Sequence, residues 1–364
     1  MAYILPINPF MKFLVFTIFC IILATGSQAE DPYLTLEYYK SSCPSVLDIV
    51  KREMECAVLS DPRNAAIILR LHFHDCFVQV GASVAIDSPA TSRQYGTNGW
   101  STVTGCDGSV LLDDTYTLKG EKEAIPNVNS LRGFDLVDRI KDKLESECPG
   151  VVSCADLLTI AARDAVVLVG GPYWHVPLGR KDSKTASISL ANENIPLPNQ
   201  GIPTLISKFL YQGLSVTDMV ALVGGHTIGV ARCENFRERI YGDFVITAGT
   251  NPLSETYLNK LKSICPAAGG NEDNISSLDY PTPNLFDNSY FQILLRGEGL
   301  LNSDQEMYSS LLSFQTRDLV RKYAEDPLAF FQQFSDSMVK MGNITSLESL
   351  TEGEVRKNCR FVNT

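Results

Sequence analysis

Histidine is scarce in this chain. Only His72, His74, His175 and His226 occur in 364 residues, so any imidazole chemistry has few places to sit. Positive charge is short too. The formal net charge is −11, which argues against nucleic acid as a partner, because phosphate binding needs basic patches. No CxxC pair occurs among the ten cysteines, which removes the usual framework of a structural zinc site. Beyond the N-terminus no run of 18 apolar residues occurs, so no membrane span is expected. Alternating strand patterns are few, and no internal repeat has a fixed period.

The N-terminus carries a targeting pattern. In "MKFLVFTIFCIILATGSQA" a lysine precedes an apolar run from Phe13 to Ala24, and small residues follow. That is a secretory signal, too short to span a membrane, with cleavage expected after Ala29 or Ser27. Met11 fits as the true start. Residues 1–29 are therefore read as signal and 30–364 as one domain. Cys20 leaves with the signal, and nine cysteines remain: Cys43, Cys56, Cys76, Cys106, Cys148, Cys154, Cys233, Cys265 and Cys359. Most should pair in a secreted chain, and the odd number leaves at least one over. Asn274 and Asn343 head glycosylation sequons, which suits the same compartment.

Apolar residues recur three and four apart in "VLDIVKREMECAVL", "GFDLVDRIKDKLESEC", "CADLLTIAARDAVVLV", "IPTLISKFLYQGL", "VTDMVALVGGH", "TYLNKLKSIC" and "PLAFFQQFSDSMVKMG". This periodicity predicts a mostly α fold. Start signals stand at Asp61-Pro62, Ser153, and Ser215 through Asp218. Proline and glycine cluster in "GGPYWHVPLGRKD", "ENIPLPNQGIP" and "LDYPTPNLFDN", which read as loops. After Gly342 the chain reads as a short polar tail closed by Cys359.

Two segments concentrate chemistry. In "LRLHFHDCF", Arg70 and His74 are four apart and share a helix face, with Phe73 beside them and His72 pointing elsewhere. In "DMVALVGGHTIG", His226 follows Gly224 and Gly225, whose missing side chains leave room beside the imidazole for something flat, such as a porphyrin. Taken singly, a backbone-satisfied histidine and a glycine helix cap are the commoner explanations of these segments. Oxygen-rich sets occur at Asp279, Thr282 and Asp287, and at Asp75, Asp107 and Ser109; hard oxygen ligands on loops suit calcium.

The motifs "LRLHFHDCF", "GCDGSVLLDD", "EKEAIPNVNSLRGF", "CPGVVSCADLLTIAARD", "VPLGRKDS", "DMVALVGGHTIG", "PTPNLFDNSYF", "GLLNSDQEM" and "MGNIT" occur in order from about Tyr33 to the C-terminus. Together they resemble the secreted plant (class III) haem peroxidases. The resemblance implies a mostly α fold holding haem b between a distal and a proximal helical half. It implies reduction of hydrogen peroxide and one-electron oxidation of small phenolic donors. It makes His226 the iron ligand and Asp304 the acceptor of its other ring proton, a partner that fixes the tautomer. Arg70, Phe73 and His74 match the distal triad: His74 moves the peroxide proton, Arg70 stabilises charge on the departing oxygen, and Phe73 keeps donors at the haem edge. Asn127 matches the residue that holds His74, Glu121 the one that steadies Asn127, and Pro196 the one beside the donor site.

The same resemblance implies two calcium ions. The distal one falls to Asp75, Val78 and Gly105 (both by carbonyl), Asp107 and Ser109. The proximal one falls to Thr227, Asp279, Thr282, Leu285 (by carbonyl) and Asp287. It pairs Cys43 with Cys148, Cys76 with Cys106, Cys154 with Cys359, and Cys233 with Cys265. Cys56 is left over, and a buried, inert thiol is expected there. A monomer in the cell wall or apoplast is expected; without a long apolar C-terminal extension the vacuole is disfavoured. The signal and the disulfide framework disfavour an intracellular ascorbate-type peroxidase.

One stretch departs from the family pattern. Val80 to Thr104 intervenes where Gln79 should run straight into "GCDGS". It holds eight Ser/Thr and two charges, Asp87 and Arg93. Lengthening a loop about sixfold costs only about 1.6 kcal/mol. The geometry is the larger concern, since the insert splits the distal calcium set and the Cys76–Cys106 pair. A structureless loop of this length is unusual. It reads as a surface excursion or, favoured by its lack of pattern, as translated non-coding sequence. The rival function is a haem- and calcium-containing secreted protein with impaired catalysis.

Overall fold

Helical periodicity becomes helices throughout the computed structural model, which describes residues 34–78, 105–242, 255–345 and 347–364. The signal region, including Met11 and Cys20, and the Val80–Thr104 insert lie outside the described residues. The first half comprises α1 (Val46–Ser60), α2 (Arg63–Cys76), α3 (Phe134–Glu147), α4 (Cys154–Leu168), α5 (Ile188–Asn194), α6 (Ile202–Tyr211) and α7 (Val216–Val223). The second comprises α8 (Arg237–Tyr241), α9 (Glu255–Ile264), α10 (Ser289–Leu295), α11 (Asn302–Ser309), α12 (Arg317–Glu325), α13 (Pro327–Gly342) and α14 (Leu347–Glu352). The described strands, β1 (Val230–Arg232) and β2 (Ile275–Ser277), pair antiparallel with Ala231 opposite Ser276.

The expected start signals act as caps. Ser153 accepts from the Asp156 N–H at the head of α4. Ser215 and Asp218 form a reciprocal capping box on α7, which satisfies two otherwise orphaned N–H groups. Helices α10 to α12 fell outside the periodicity. In α11, "NSDQEMYS", Asn302, Ser303, Asp304, Gln305 and Ser309 are buried polar residues. An apolar-stripe test is blind to such a helix.

The core is organised around α4, in which every residue from Cys154 to Val166 is buried. Helices α1, α2 and α3 pack against it. Its N-terminus is also where buried charge is gathered. The Asp182 carboxylate accepts from the N–H groups of Cys154, Ala155 and Arg356 at 3.0, 2.9 and 2.8 Å, as suits an anion at a helix N-terminus. In the same turn, Asp156 pairs with Arg180 at 2.8 Å, both fully buried. Asp156 also accepts from the Tyr39 hydroxyl and the Gly179 N–H, and Arg180 donates to the Gly342 carbonyl. These bonds tie the loop around Gly179 and the end of α13 to α4.

Two expectations need correcting. The segment after Gly342 is no mere polar tail: Leu350 and Arg356 are buried, and Arg356 donates to the Gly108 carbonyl at 2.5 Å. The leftover thiol, Cys56, is exposed on α1 rather than buried, because it lies off the face carrying Val50, Met54, Ala57 and Val58. Of the sequons, Asn274 is exposed, while Asn343 is half-buried with its Oδ1 enclosed.

Breaking the Asp156–Arg180 pair should be costly. Asp156→Ala strands a buried guanidinium, so chemical denaturation should register a loss of roughly 3–5 kcal/mol. A loss no larger than the ~1 kcal/mol of an exposed ion pair would show that the pair is solvated.

Candidate active site

Helix α2 presents Arg70 and His74 from adjacent turns, as the spacing predicts. His74 Nδ1 lies 2.6 Å from Asn127 Oδ1. Asn127 Nδ2 in turn donates to the Glu121 backbone carbonyl at 2.9 Å, which orients the amide so that its oxygen faces the imidazole. His74 Nδ1 therefore carries the proton and Nε2 keeps the lone pair; among the described residues Nε2 has no hydrogen-bond partner. Burial, reinforced by the Arg70 charge, holds the imidazole pKa well below its ordinary value, against the opposing pull of the Asn127 bond. The ring is thus a neutral base at ordinary pH.

Arg70 donates to the Pro126 carbonyl and the Ser130 hydroxyl at 3.0 and 3.1 Å. Burial, together with Arg132, draws its pKa down to about 10, yet its side chain keeps accessible surface. The two observations agree if Arg70 faces an internal cavity. Phe73 stands edge-on to His74 at 5.7 Å and packs on Phe77 at 4.2 Å. Pro196 is half-buried, in a loop held by Lys208, whose ammonium donates to the Ile195 carbonyl at 2.7 Å. His72 faces away, fully buried, with its ring 3.7 Å from Cys76 Sγ. Sequence reasoning did not find Ser130 or Pro126 as partners of Arg70. Their only signal was the bend-rich run "AIPNVNS".

The second histidine is built differently. His226 sits on a 3-10 turn, Gly224–Thr227, that continues α7. Its Nδ1 donates to Asp304 Oδ1 at 2.9 Å, which leaves the Nε2 lone pair available; its side chain remains 38% exposed. Asp304 is fully buried and also accepts from the Tyr290 hydroxyl at 3.0 Å. Tyr290 was not anticipated, because nothing in "DNSYF" distinguishes it from core. The role expected for Gly224 is corrected. A Cβ there would come within 2.5 Å of Phe330 and 2.7 Å of Phe291, so this glycine makes room for α13 and α10 rather than for a ligand. A Cβ at Gly225 would meet only Leu69 at 3.4 Å and Phe334 at 3.7 Å.

A planar iron cofactor fits this donor set. One imidazole has a free Nε2 and a carboxylate-held tautomer, the usual support for a metal-bound histidine. On α2 the chain also carries a neutral histidine base with a guanidinium one helical turn away.

The oxygen sets also assemble. Asp75 accepts from the Gly108 and Val110 N–H groups at 2.9 and 3.4 Å. Asp107 Oδ2 and Ser109 Oγ are buried without partners. Burial lifts the Asp75 pKa to about 7, and burial plus the Asp75 charge lifts Asp107 well above the carboxylate range. Two buried carboxylates beside an orphan hydroxyl are a costly arrangement that a cation relieves. In the second set, Thr227 Oγ1 lies 3.1 Å from Asp279 and 3.3 Å from Asp287, and Thr282 Oγ1 lies 3.2 Å from Asp279. Asp279 Oδ1 is buried without a partner, and burial with the Asp287 charge pushes its pKa up to about 6. Leu285 closes the same turn through its N–H to the Thr282 carbonyl.

The described segments that flank the insert meet. Cys76 and Cys106 are bonded, as are Cys43 with Cys148, Cys154 with Cys359, and Cys233 with Cys265. Among the described residues, Gly105 to Leu111 is held by partners distant in sequence. The Cys106 N–H donates to the Ile344 carbonyl at 3.0 Å, and the Ser183 N–H to the Asp107 carbonyl at 2.8 Å. Gly105 and Gly108 both have positive φ, and a Cβ on either would collide, with the Ile344 carbonyl and with Arg356 respectively. Only glycine fits either position. Val78, on the other side of the insert, accepts from Asn194 Nδ2 at 2.8 Å.

Comparison with known proteins agrees. A family profile described as peroxidase matches residues 50–326. Peroxidase 11 of Arabidopsis thaliana is 62% identical over 356 residues, covering 98% of both chains. Peroxidase 49 of the same plant is 49% identical over 90% of each chain, and Peroxidase 4 of Vitis vinifera is 46% identical over 94% of this chain and 96% of its own. Nothing in these likenesses favours impaired catalysis. With a neutral histidine base and a carboxylate-supported histidine set in a largely helical fold, the chain belongs to the plant haem peroxidase family and is itself a haem peroxidase.

Proposed function

We propose that this is a secreted, monomeric, cell-wall peroxidase holding one haem b and two calcium ions in a single domain, residues 30–364, and oxidising small phenols with hydrogen peroxide. The observation that carries the proposal is the opposed wiring of two histidines. Nδ1 of His74 is held by a neutral amide oxygen, and Nδ1 of His226 by a buried carboxylate. The first arrangement leaves a weak, neutral base; the second makes an electron-rich ligand.

When bound through His226, the haem supplies the redox chemistry that reduces peroxide. The chain's own groups handle protons and charge. His74 Nε2 takes the proton from the inner oxygen of hydrogen peroxide and returns it to the outer oxygen, which leaves as water. The Asn127 oxygen steadies Nδ1–H while the ring is transiently charged. Arg70 supplies positive charge beside the departing oxygen, in a cavity where such a charge counts for more than in water. Phe73 crowds the distal side, which keeps phenols toward Pro196. Asp304, fixed by Tyr290, holds the His226 tautomer. The two oxygen sets, around Asp75 and Asp107 and around Asp279 and Asp287, are proposed to hold calcium, clamping the ends of the segments that carry His74 and His226.

The four disulfides suit an oxidising compartment, and no helix among the described residues is long and apolar enough to cross a membrane. The disulfides support secretion.

Three outcomes are expected. His74→Ala should retain the haem absorption band but react with hydrogen peroxide roughly 10²–10⁴-fold more slowly in stopped flow; an unchanged rate would sink the assignment. Asp304→Asn should weaken haem retention or activity by about 10–100-fold, read by titration of haem release. Prolonged chelation should strip two calcium ions per chain by atomic absorption and lower the melting temperature, and Asp107→Asn should reduce the count to one. An unchanged count in that variant would remove Asp107 from the ligand set.

A further inference from the structure

Hydrogen bonding does not account for the burial of Arg356. It stands in the segment after α14, close before Cys359, which is bonded to Cys154 at the head of α4. Its side chain is fully enclosed. Nη2 donates to the Gly108 carbonyl at 2.5 Å. Nε and Nη1 are buried without a hydrogen-bond partner among the described residues. A guanidinium taken out of water with donors unspent is costly unless opposite charge surrounds it.

That charge is present. Asp182 lies 3.8 Å from Arg356 Nε and accepts three backbone N–H groups, one of them from Arg356 itself. Gly108, which receives Nη2 at its carbonyl, donates its own N–H to Asp75 at 2.9 Å. A single residue thus separates the guanidinium from a carboxylate of the distal oxygen set. Asp107 and Ser109 flank that residue in the chain, and the Arg356 charge acts on Asp75 and Asp107 alike. No side chain fits between them, because a Cβ on Gly108 would come within 2.5 Å of Arg356 Nη2.

We propose that Arg356 is the specificity residue of the distal cation site, a fixed positive charge that favours a divalent ion over a trivalent one of the same size. The inference rests on the assignment of calcium to Asp75, Asp107 and Ser109. Hard oxygen donors hold calcium and lanthanide-sized trivalent ions through the same contacts, and the charge around the site decides between them. Each unit of charge on the ion is drawn to the two carboxylates and repelled by Arg356. The guanidinium therefore penalises a third unit, and burial enlarges the penalty. A repulsive neighbour is a general route to discrimination. Asp182 acts in the opposite sense. The C-terminal segment, more than two hundred residues away in the chain, so completes the electrostatics of the distal loop.

The test uses the intact haem-loaded protein, dialysed against mixtures of calcium chloride and terbium chloride, with bound metal counted by plasma mass spectrometry. Subtracting the count of the matching Asp107→Asn protein isolates the distal ion. Arg356→Gln keeps a donor for the Gly108 carbonyl and removes the charge. Its midpoint for replacement of calcium should fall at a terbium-to-calcium ratio on the order of tenfold lower than in the wild type. Asp182→Asn removes a negative charge and should move the midpoint the other way, so the inference stays testable if Arg356→Gln does not fold. Arg356→Lys should stay near the wild-type midpoint; a shift as large as that of Arg356→Gln would trace the effect to shape rather than charge. The ion at Asp279 and Asp287 should exchange at one ratio in every variant. Equal weakening of both ions in Arg356→Gln, with the midpoint unmoved, would show that Arg356 only braces Gly108 and overturns the inference alone. An unmoved midpoint in Asp182→Asn does the same. An Asp107→Asn protein with the wild-type metal count overturns the calcium assignment and the inference with it.

Discussion

Asp75 holds the end of α2 to the segment that follows the insert, and much of the catalytic geometry depends on that junction. Its carboxylate accepts from the Gly108 and Val110 N–H groups, one residue from His74 and one from Cys76. The disulfide adds a covalent tie at the next position. His74 is thereby anchored at the C-terminal end of its helix, where fraying would otherwise concentrate. From the other side, Ile344, Ser183 and Arg356 hold the same segment. Among the described residues, the junction therefore closes on partners distant in sequence.

Closing it concentrates negative charge in the interior. Asp75, Asp107, Asp182 and Glu121 are all fully buried or nearly so, and Arg356 is the guanidinium that reaches Gly108 between them. Glu121 is pushed well above the carboxylate range by burial and then by Asp107. Its backbone carbonyl, meanwhile, positions the Asn127 amide. The charge balance of the distal loop is thus linked through Glu121 and Asn127 to His74. The proposed cation at Asp75 and Asp107 would thus act on the His74 imidazole without touching it.

The two histidines show how environment divides labour between identical side chains. Burial and a nearby guanidinium keep His74 neutral. His226 instead faces Asp304, whose geometry is set by Tyr290. Each ring has one nitrogen fixed and the other left free, and the fixing group decides what the free nitrogen does. His72, two residues before His74, shares neither role. Burial lowers its pKa to about 3, and it packs on the disulfide.

Much of this was legible in the sequence. Amphipathic periodicity located most of the longer helices, though not the amphipathic α12; capping residues marked several starts, and the ordered motifs pointed to Arg70, His74, His226, Asp304, both oxygen sets and all four disulfides. Helix α11, with its buried Asn302, Ser303, Asp304 and Gln305, was hidden because polar residues were interior. Other features depend on contacts between segments far apart in the chain. No local pattern reveals that Gly224 serves Phe330, that Tyr290 supports Asp304, or that Arg356 from the tail reaches the distal loop. The sequence determined which groups are available and which helices present them, because those follow from spacing of 3.6 residues per turn. Only the tertiary structure decided whether the halves on either side of Val80–Thr104 meet, because that depends on anchors that packing brings together across more than two hundred residues.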